Sequence, residues 1–307
     1  MDQKTIKVRV GDIDFTCLEM GDGPLVLALH GFPDEAPTWR YQMPAIAAAG
    51  YRVVAPYTRG YAPTSAAPDG CYQIAALGRD ALGLIDALGA DTATLLGHDW
   101  GALASVSAAL EAPEKIDRLA TVAIPYGPRM LMAYIDNYDQ IRRSGYIFFF
   151  LQELADLAVP NNDFEFIERI WGEWSPNWTA PPEVMASVKR TLGEPGVLAA
   201  ALGYYRCMFR AELQDPALAE ASALFGAAPI TVPALHIHGR NDGCMGSEIC
   251  EGMDAMYTAD FGMVMIEGAG HFVHQEKPEE FNKSLLDWLK LKEASSVATL
   301  EASLKFG

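Results

Sequence analysis

Six short, nearly unbroken apolar runs constrain this chain more than any other feature: Pro24–Leu29, Arg52–Pro56, Thr92–Leu96, Leu119–Ile124, Val232–Ile237 and Gly262–Ile266. A strand with one wet face alternates apolar and polar residues, whereas a continuous run suits a strand buried on both faces. Helical patterns at Ile74–Leu88 and Ala102–Leu110 fall between runs. Strands alternating with helices predict an α/β fold, a mostly parallel twisted sheet with helices on both faces. Only the start differs: Thr5–Val10 and Asp12–Met20 alternate with period two about Gly11, which predicts a hairpin with one solvated face.

The strand–helix alternation lapses between about Pro125 and Gly226. That stretch is rich in aromatic residues, has a helical pattern at Glu212–Ala221, and carries loop signals at Pro160-Asn161-Asn162 and Trp174-Ser175-Pro176-Asn177. It reads as a helical cap, residues 127–226, inserted into a core domain formed by 1–126 and 227–292. A last helix is expected from Pro278 to about Leu291. The weakly amphipathic tail, 293–307, receives no role.

Composition narrows the classes. A chain of 307 residues, half of them apolar, can bury one full-sized core with a modest insertion. A formal charge of −17 would repel a phosphate backbone, which argues against nucleic-acid partners. No apolar run approaches the ~20 residues of a membrane span, and Met1–Arg9 lacks the apolar segment of a signal peptide. The five cysteines are scattered, odd in number and without metal-ligand spacing, as expected of reduced packing residues in a cytoplasmic protein. Nothing in the pattern calls for a metal or cofactor, and self-association is left open.

Chemistry concentrates at Leu95-Leu96-Gly97-His98-Asp99-Trp100-Gly101-Ala102, which follows an apolar run and opens a helix. The spacing is that of the G-x-S-x-G nucleophile elbow, with aspartate in the place of serine. Side chains at Gly97 or Gly101 would collide with neighbouring chain in so sharp a turn. A carboxylate with reference pKa ~3.9 is already ionised at neutral pH and can attack an sp³ carbon bearing a leaving group. The plainer alternative is an aspartate that N-caps the helix.

Two further segments complete a nucleophile–acid–histidine order along the chain. Asp242, in His238-Gly239-Arg240-Asn241-Asp242-Gly243, falls at the end of one run. His271, in Gly268-Ala269-Gly270-His271-Phe272, follows the next. An acid that orients a histidine supplies a base for water. His274 is the rival base. His236 and His238 suit packing or a backbone hydrogen bond, and the elbow should turn His98 away. The loop Leu29-His30-Gly31-Phe32-Pro33 would present the Phe32 amide, beside that of Trp100, to an oxyanion. His30, Pro33 and Trp100 are expected to line the substrate pocket.

These residues resemble the epoxide hydrolase branch of the α/β-hydrolase fold. The resemblance extends nearly to Leu291 and rests on His30–Pro33, Arg59-Gly60-Tyr61, Gly97–Gly101, Asp242 and Gly270-His271. It implies two cap tyrosines that hold and protonate the epoxide oxygen. Tyr205, in Leu202-Gly203-Tyr204-Tyr205-Arg206, matches the second, and Tyr146, ahead of Ile147-Phe148-Phe149-Phe150, resembles the first. Tyr134, Tyr138 and Tyr204 share the same segment. Gly145 departs from the tryptophan that relatives often carry, and Gly203 from a frequent asparagine.

The implied reaction is hydrolysis of an epoxide to a vicinal diol through an alkyl ester on Asp99, with water as co-substrate. The aromatic cap suggests an apolar or aryl epoxide. Haloalkane dehalogenases share the aspartate elbow and the tryptophan after it, but commonly bind halide with a further donor, often asparagine where this chain has Phe32. A binding protein on the hydrolase fold is the third reading. It would not need Asp99, Asp242 and His271 together.

Overall fold

The computed structural model describes residues 2–291; the tail, 293–307, lies outside the described residues. Eight strands form one sheet: β1 (Lys4–Val10), β2 (Ile13–Met20), β3 (Leu25–Leu29), β4 (Arg52–Pro56), β5 (Ala93–His98), β6 (Ile116–Val122), β7 (Ala234–Gly239) and β8 (Phe261–Ile266). Their spatial order is β1-β2-β4-β3-β5-β6-β7-β8. The β1–β2 and β2–β4 pairs are antiparallel and the others parallel. The alternating start therefore forms the expected hairpin, at a sheet edge where one face can meet water.

Continuous apolar runs work here because the two faces of each central strand feed different cores. Leu27, Leu95 and Leu119 pack on one side with the helices α2 (Ile74–Ala87) and α3 (Trp100–Glu111). Val26, Ala28, Leu96 and Ala120 pack on the other with Met43 and Ile46 of α1 (Gln42–Ala48) and with Phe281 and Leu285. β8 departs from the expectation of a strand buried on both faces. It closes the sheet edge and is only partly buried, with Met263 45% exposed.

Between β6 and β7 the chain forms eight helices: α4 (Pro128–Asp136), α5 (Tyr138–Arg143), α6 (Gly145–Phe150), α7 (Leu154–Ala158), α8 (Asn161–Trp174), α9 (Pro182–Leu192), α10 (Val197–Phe209) and α11 (Ala219–Leu224). Two local expectations change. Glu212–Ala221 is not one helix but two 3₁₀ turns and the start of α11, because Pro216 cannot donate in a continuing helix and Asp215 caps the new turn at Ala217. The loop signal at Pro160–Asn162 falls at the entry to α8, where Asn162, Asp163 and Phe164 adopt a left-handed turn with φ of 49°, 52° and 58°. The closing helix runs Pro278–Lys290.

Candidate active site

Asp99 stands at the sharp junction of β5 and α3 with φ 52° and ψ −120°. L-residues rarely hold such a conformation unless their surroundings over-determine it, and here they do. A methyl at Gly97 would lie 2.2 Å from the Gly101 carbonyl oxygen, and one at Gly101 would lie 2.1 Å from that of Leu29. The Asp99 side chain makes no capping hydrogen bond to α3, so the N-cap alternative fails. Oδ1 instead accepts a 2.7 Å hydrogen bond from the Phe32 amide. Gly31 leaves the necessary room, since a methyl there would stand 2.4 Å from Asp99 Oδ1 and 2.6 Å from the Trp100 nitrogen.

Loops after β7 and β8 bring the other two predicted residues to this point. Asp242 Oδ1 accepts from the Cys244 and Met245 amides at 2.7 and 2.9 Å. His271 donates from Nδ1 to Asp242 Oδ2 at 2.9 Å. That bond turns Nε2 toward Asp99, 3.5 Å from Oδ2. The His271 backbone is held in turn: its amide donates to the Trp174 carbonyl at 3.0 Å, and His98 Nε2 donates to its carbonyl at 3.0 Å. His98 thus points away from the reaction side, as the elbow geometry anticipates.

The electrostatics follow from burial and charge. Burial works against charge on His271, but Asp242 and Asp99 outweigh it and raise its pKa to about 10. Burial likewise penalises the Asp99 carboxylate, yet His271 and the Phe32 amide hold it below its usual range. Both effects favour an imidazolium facing the Asp99 carboxylate. His274 is not a rival base. Burial pushes its pKa well below the ordinary value, and its Nε2 is paired with Thr38 Oγ1 at 2.6 Å. His236 and His238 form a chain that starts from Thr121 and ends on the Met245 carbonyl.

A cavity of about 390 Å³ opens over Asp99. Its polar lining is Asp99, Trp100, Tyr134, Tyr146, Tyr205 and Cys244, and the remainder is apolar. Tyr146 from α6 and Tyr205 from α10 meet edge to face, with ring centroids 5.8 Å apart. Tyr146 contacts Cys244 Sγ at 3.5 Å, while the buried Tyr205 hydroxyl makes no hydrogen bond among the described residues. Burial pushes both phenols well above 10. Tyr204 turns the other way and donates to the Arg59 carbonyl at 2.8 Å, and Tyr138 is 76% exposed.

Two expected pocket residues do not line this cavity. His30 is fixed behind it, with Nδ1 donating to Gly31 O and Nε2 accepting from Thr58 N, and borders a void of only about 20 Å³. Pro33 offers its carbonyl to Trp171 Nε1 at 3.2 Å. Conversely, Cys244, Tyr134 and Trp174 belong to the site and carry no motif that marks them in the sequence.

A parallel sheet with a strained acidic elbow, an acid–histidine pair after its last strands and an inserted helical layer defines an α/β-hydrolase. The sequence profile of the alpha/beta hydrolase fold family matches residues 24–278, and the chain belongs to that family. It is 29% identical over 273 residues to the AB hydrolase superfamily protein YfhM of Bacillus subtilis (strain 168), covering 88% of this chain and 91% of that one. It is 29% identical over 329 residues to Epoxide hydrolase A of Mycobacterium tuberculosis (strain ATCC 25618 / H37Rv), covering 94% and 96%. Among solved structures it is similar to Epoxide Hydrolase A from Mycobacterium thermoresistibile, with TM-score 0.79, 28% identity and coverage of 94% and 98%. An epoxide hydrolase from Vigna radiata gives TM-score 0.77 and 29% identity, with the same coverage. No helix of the described residues is long and apolar enough to cross a membrane.

Proposed function

We propose that the chain is an epoxide hydrolase that opens an apolar epoxide to a vicinal diol through an ester on Asp99. One observation carries the reading: Asp99 shares its cavity with the Tyr146 and Tyr205 hydroxyls, while His271 Nε2 stands 3.5 Å from its free oxygen. Relatives named epoxide hydrolases over nearly the whole chain support it.

In the first step Asp99 Oδ2 attacks an epoxide carbon and the ring C–O bond breaks. Tyr146 and Tyr205, protonated at neutral pH, donate to the departing oxygen. Esterification removes the Asp99 charge, and with it part of what holds the proton on His271. That proton restores the phenol and leaves a neutral imidazole oriented by Asp242. His271 then takes a proton from water, hydroxide adds to the Asp99 carbonyl carbon, and the Phe32 amide receives the developing oxyanion at Oδ1. Loss of the diol regenerates the carboxylate and the imidazolium, so protons balance over the cycle. Helices α4–α11 serve as the cap, and five free, buried cysteines support a cytoplasmic location.

A dehalogenase would need a side-chain donor beside Trp100 for the halide. Phe32 has none to give, and its ring packs on Phe150 and Tyr205. A single turnover of styrene oxide in heavy-oxygen water tests the proposal. Label should appear in Asp99, and label confined to the diol would rule out the ester. A chloroalkane assayed alongside should release no halide.

A further inference from the structure

We propose that Asp99, Cys244 and His271 form a site for a thiophilic divalent cation, zinc foremost, which switches off the enzyme activity proposed above by occupying its reaction centre. A carboxylate oxygen of Asp99, the Sγ of Cys244 and a ring nitrogen of His271 all lie within 4.8 Å of one another. Asp99 and Cys244 line the 390 Å³ cavity, which leaves room for an ion beside the donors.

The donor chemistry fits zinc. Thiolate, imidazole and carboxylate are its three ordinary protein ligands, and three of them with an open fourth position suit a tetrahedral ion. Ligand bonds of about 2.0–2.3 Å place tetrahedral donors about 3.3–3.7 Å apart. Asp99 Oδ2 and His271 Nε2 already stand at 3.5 Å, and Cys244 must close by about 1.5 Å at most to reach that spacing. The outer shell is also built. A ligating histidine usually donates its second nitrogen to a carboxylate, and His271 Nδ1 donates to Asp242 at 2.9 Å. Tyr146, 3.5 Å from the sulfur, stands beside the fourth position.

The ion takes the place of protons. Ligand groups bind in their deprotonated form, so affinity rises with pH. With Oδ2 and Nε2 both committed, neither ester formation nor water activation can proceed. The other cluster of donors, His236, His238 and Cys250, serves as a control. Its imidazoles are already bonded to each other, to Thr121 and to the Met245 carbonyl.

Cobalt(II) reports the site without relying on activity. Titration of the wild-type protein with Co²⁺ should give a thiolate-to-cobalt charge-transfer band. The band should vanish in Cys244→Ala and in the nearly isosteric Cys244→Ser, and persist in Cys250→Ser. Zinc should raise the wild-type Tm and block diol formation. Against each variant's own zinc-free rate, Cys244→Ala should need at least about 100-fold more zinc, because losing even an outer-shell partner costs about 10–100-fold in affinity. A band absent from wild type, retained in Cys244→Ala or lost in Cys250→Ser would overturn the site, as would equal zinc sensitivity in Cys244→Ala. A Cys244-dependent band in a protein that makes no diol would refute the proposed activity and leave the cation site standing.

Discussion

The Phe32 amide holds one oxygen of Asp99 at 2.7 Å and thereby leaves Oδ2 as the oxygen turned toward His271. The two oxygens of one carboxylate thus face different tasks. Oδ2 is free to bond carbon, and Oδ1 already rests on the donor that an oxyanion would need. In the proposed mechanism the base is needed only in the second half of the reaction, so the steps should separate when it is removed.

His271→Gln should therefore accumulate the covalent ester, because attack by an ionised carboxylate requires no base. Intact-mass spectrometry after brief exposure to styrene oxide should find the protein heavier by one substrate. Turnover should fall by at least about 10³-fold, within the range that triad members contribute. An unmodified and fully active variant would remove His271 from the mechanism.

Gly31 and Gly101 should respond differently to the same added methyl. At Gly31 it would displace Asp99 Oδ1 and crowd the Trp100 amide. Gly31→Ala should lose about 10²–10³-fold in kcat, the scale of one oxyanion donor. At Gly101 the methyl meets the Leu29 and His30 carbonyls, which belong to the backbone and cannot turn aside. Gly101→Ala should lose about 1–3 kcal/mol of stability from overpacking, seen as a lower Tm even without substrate. A Gly31→Ala variant that keeps its kcat would argue that Gly31 has no special bearing on Asp99.

What could be read from the chain alone was whatever depends on local geometry. The elbow is one such feature, since Gly97, Asp99 and Gly101 are fixed by a turn of five residues. Asp242 and His271 are legible because each follows an apolar run, and strand ends converge at one edge of a parallel sheet. Cys244 was hidden because its place beside Tyr146 depends on how the insertion packs over the loop after β7. His30 and Pro33 share the loop that offers the Phe32 amide, yet their positions are decided by Thr58 and Trp171, residues remote in sequence. The partial exposure of β8 is not legible in its apolar run, because composition does not reveal which strand closes a sheet.

Stability should depend on pH through His271. Its pKa of about 10 in the folded protein exceeds the ordinary 6.5. The folded state therefore binds more protons than the unfolded state between those values. The contribution is complete below about pH 6.5 and is lost as pH rises toward 10. His271→Gln lacks it at every pH. The Tm gap between wild type and variant should be widest near pH 6 and narrow steadily toward pH 10. A gap that widens over this interval would mean the imidazole is neutral beside Asp99 and Asp242.

The two cap tyrosines can be tested free of later steps in the His271→Gln background, where only ester formation is observed. Among the described residues the buried Tyr205 hydroxyl has no hydrogen-bond partner, so Tyr205→Phe leaves no group unsatisfied. Its Tm should hold or rise slightly, while ester formation slows by about 10²-fold or more, the range of a general acid. Tyr146→Phe should slow the same step, because its hydroxyl meets only the weak partner Cys244 Sγ. Tyr134 lines the same cavity with a pKa that burial raises to about 12, and it provides the comparison. Rapid-quench mass analysis of the ester should show Tyr134→Phe close to its parent. A loss there as large as in Tyr205→Phe would shift the proton donor from α10 to α4.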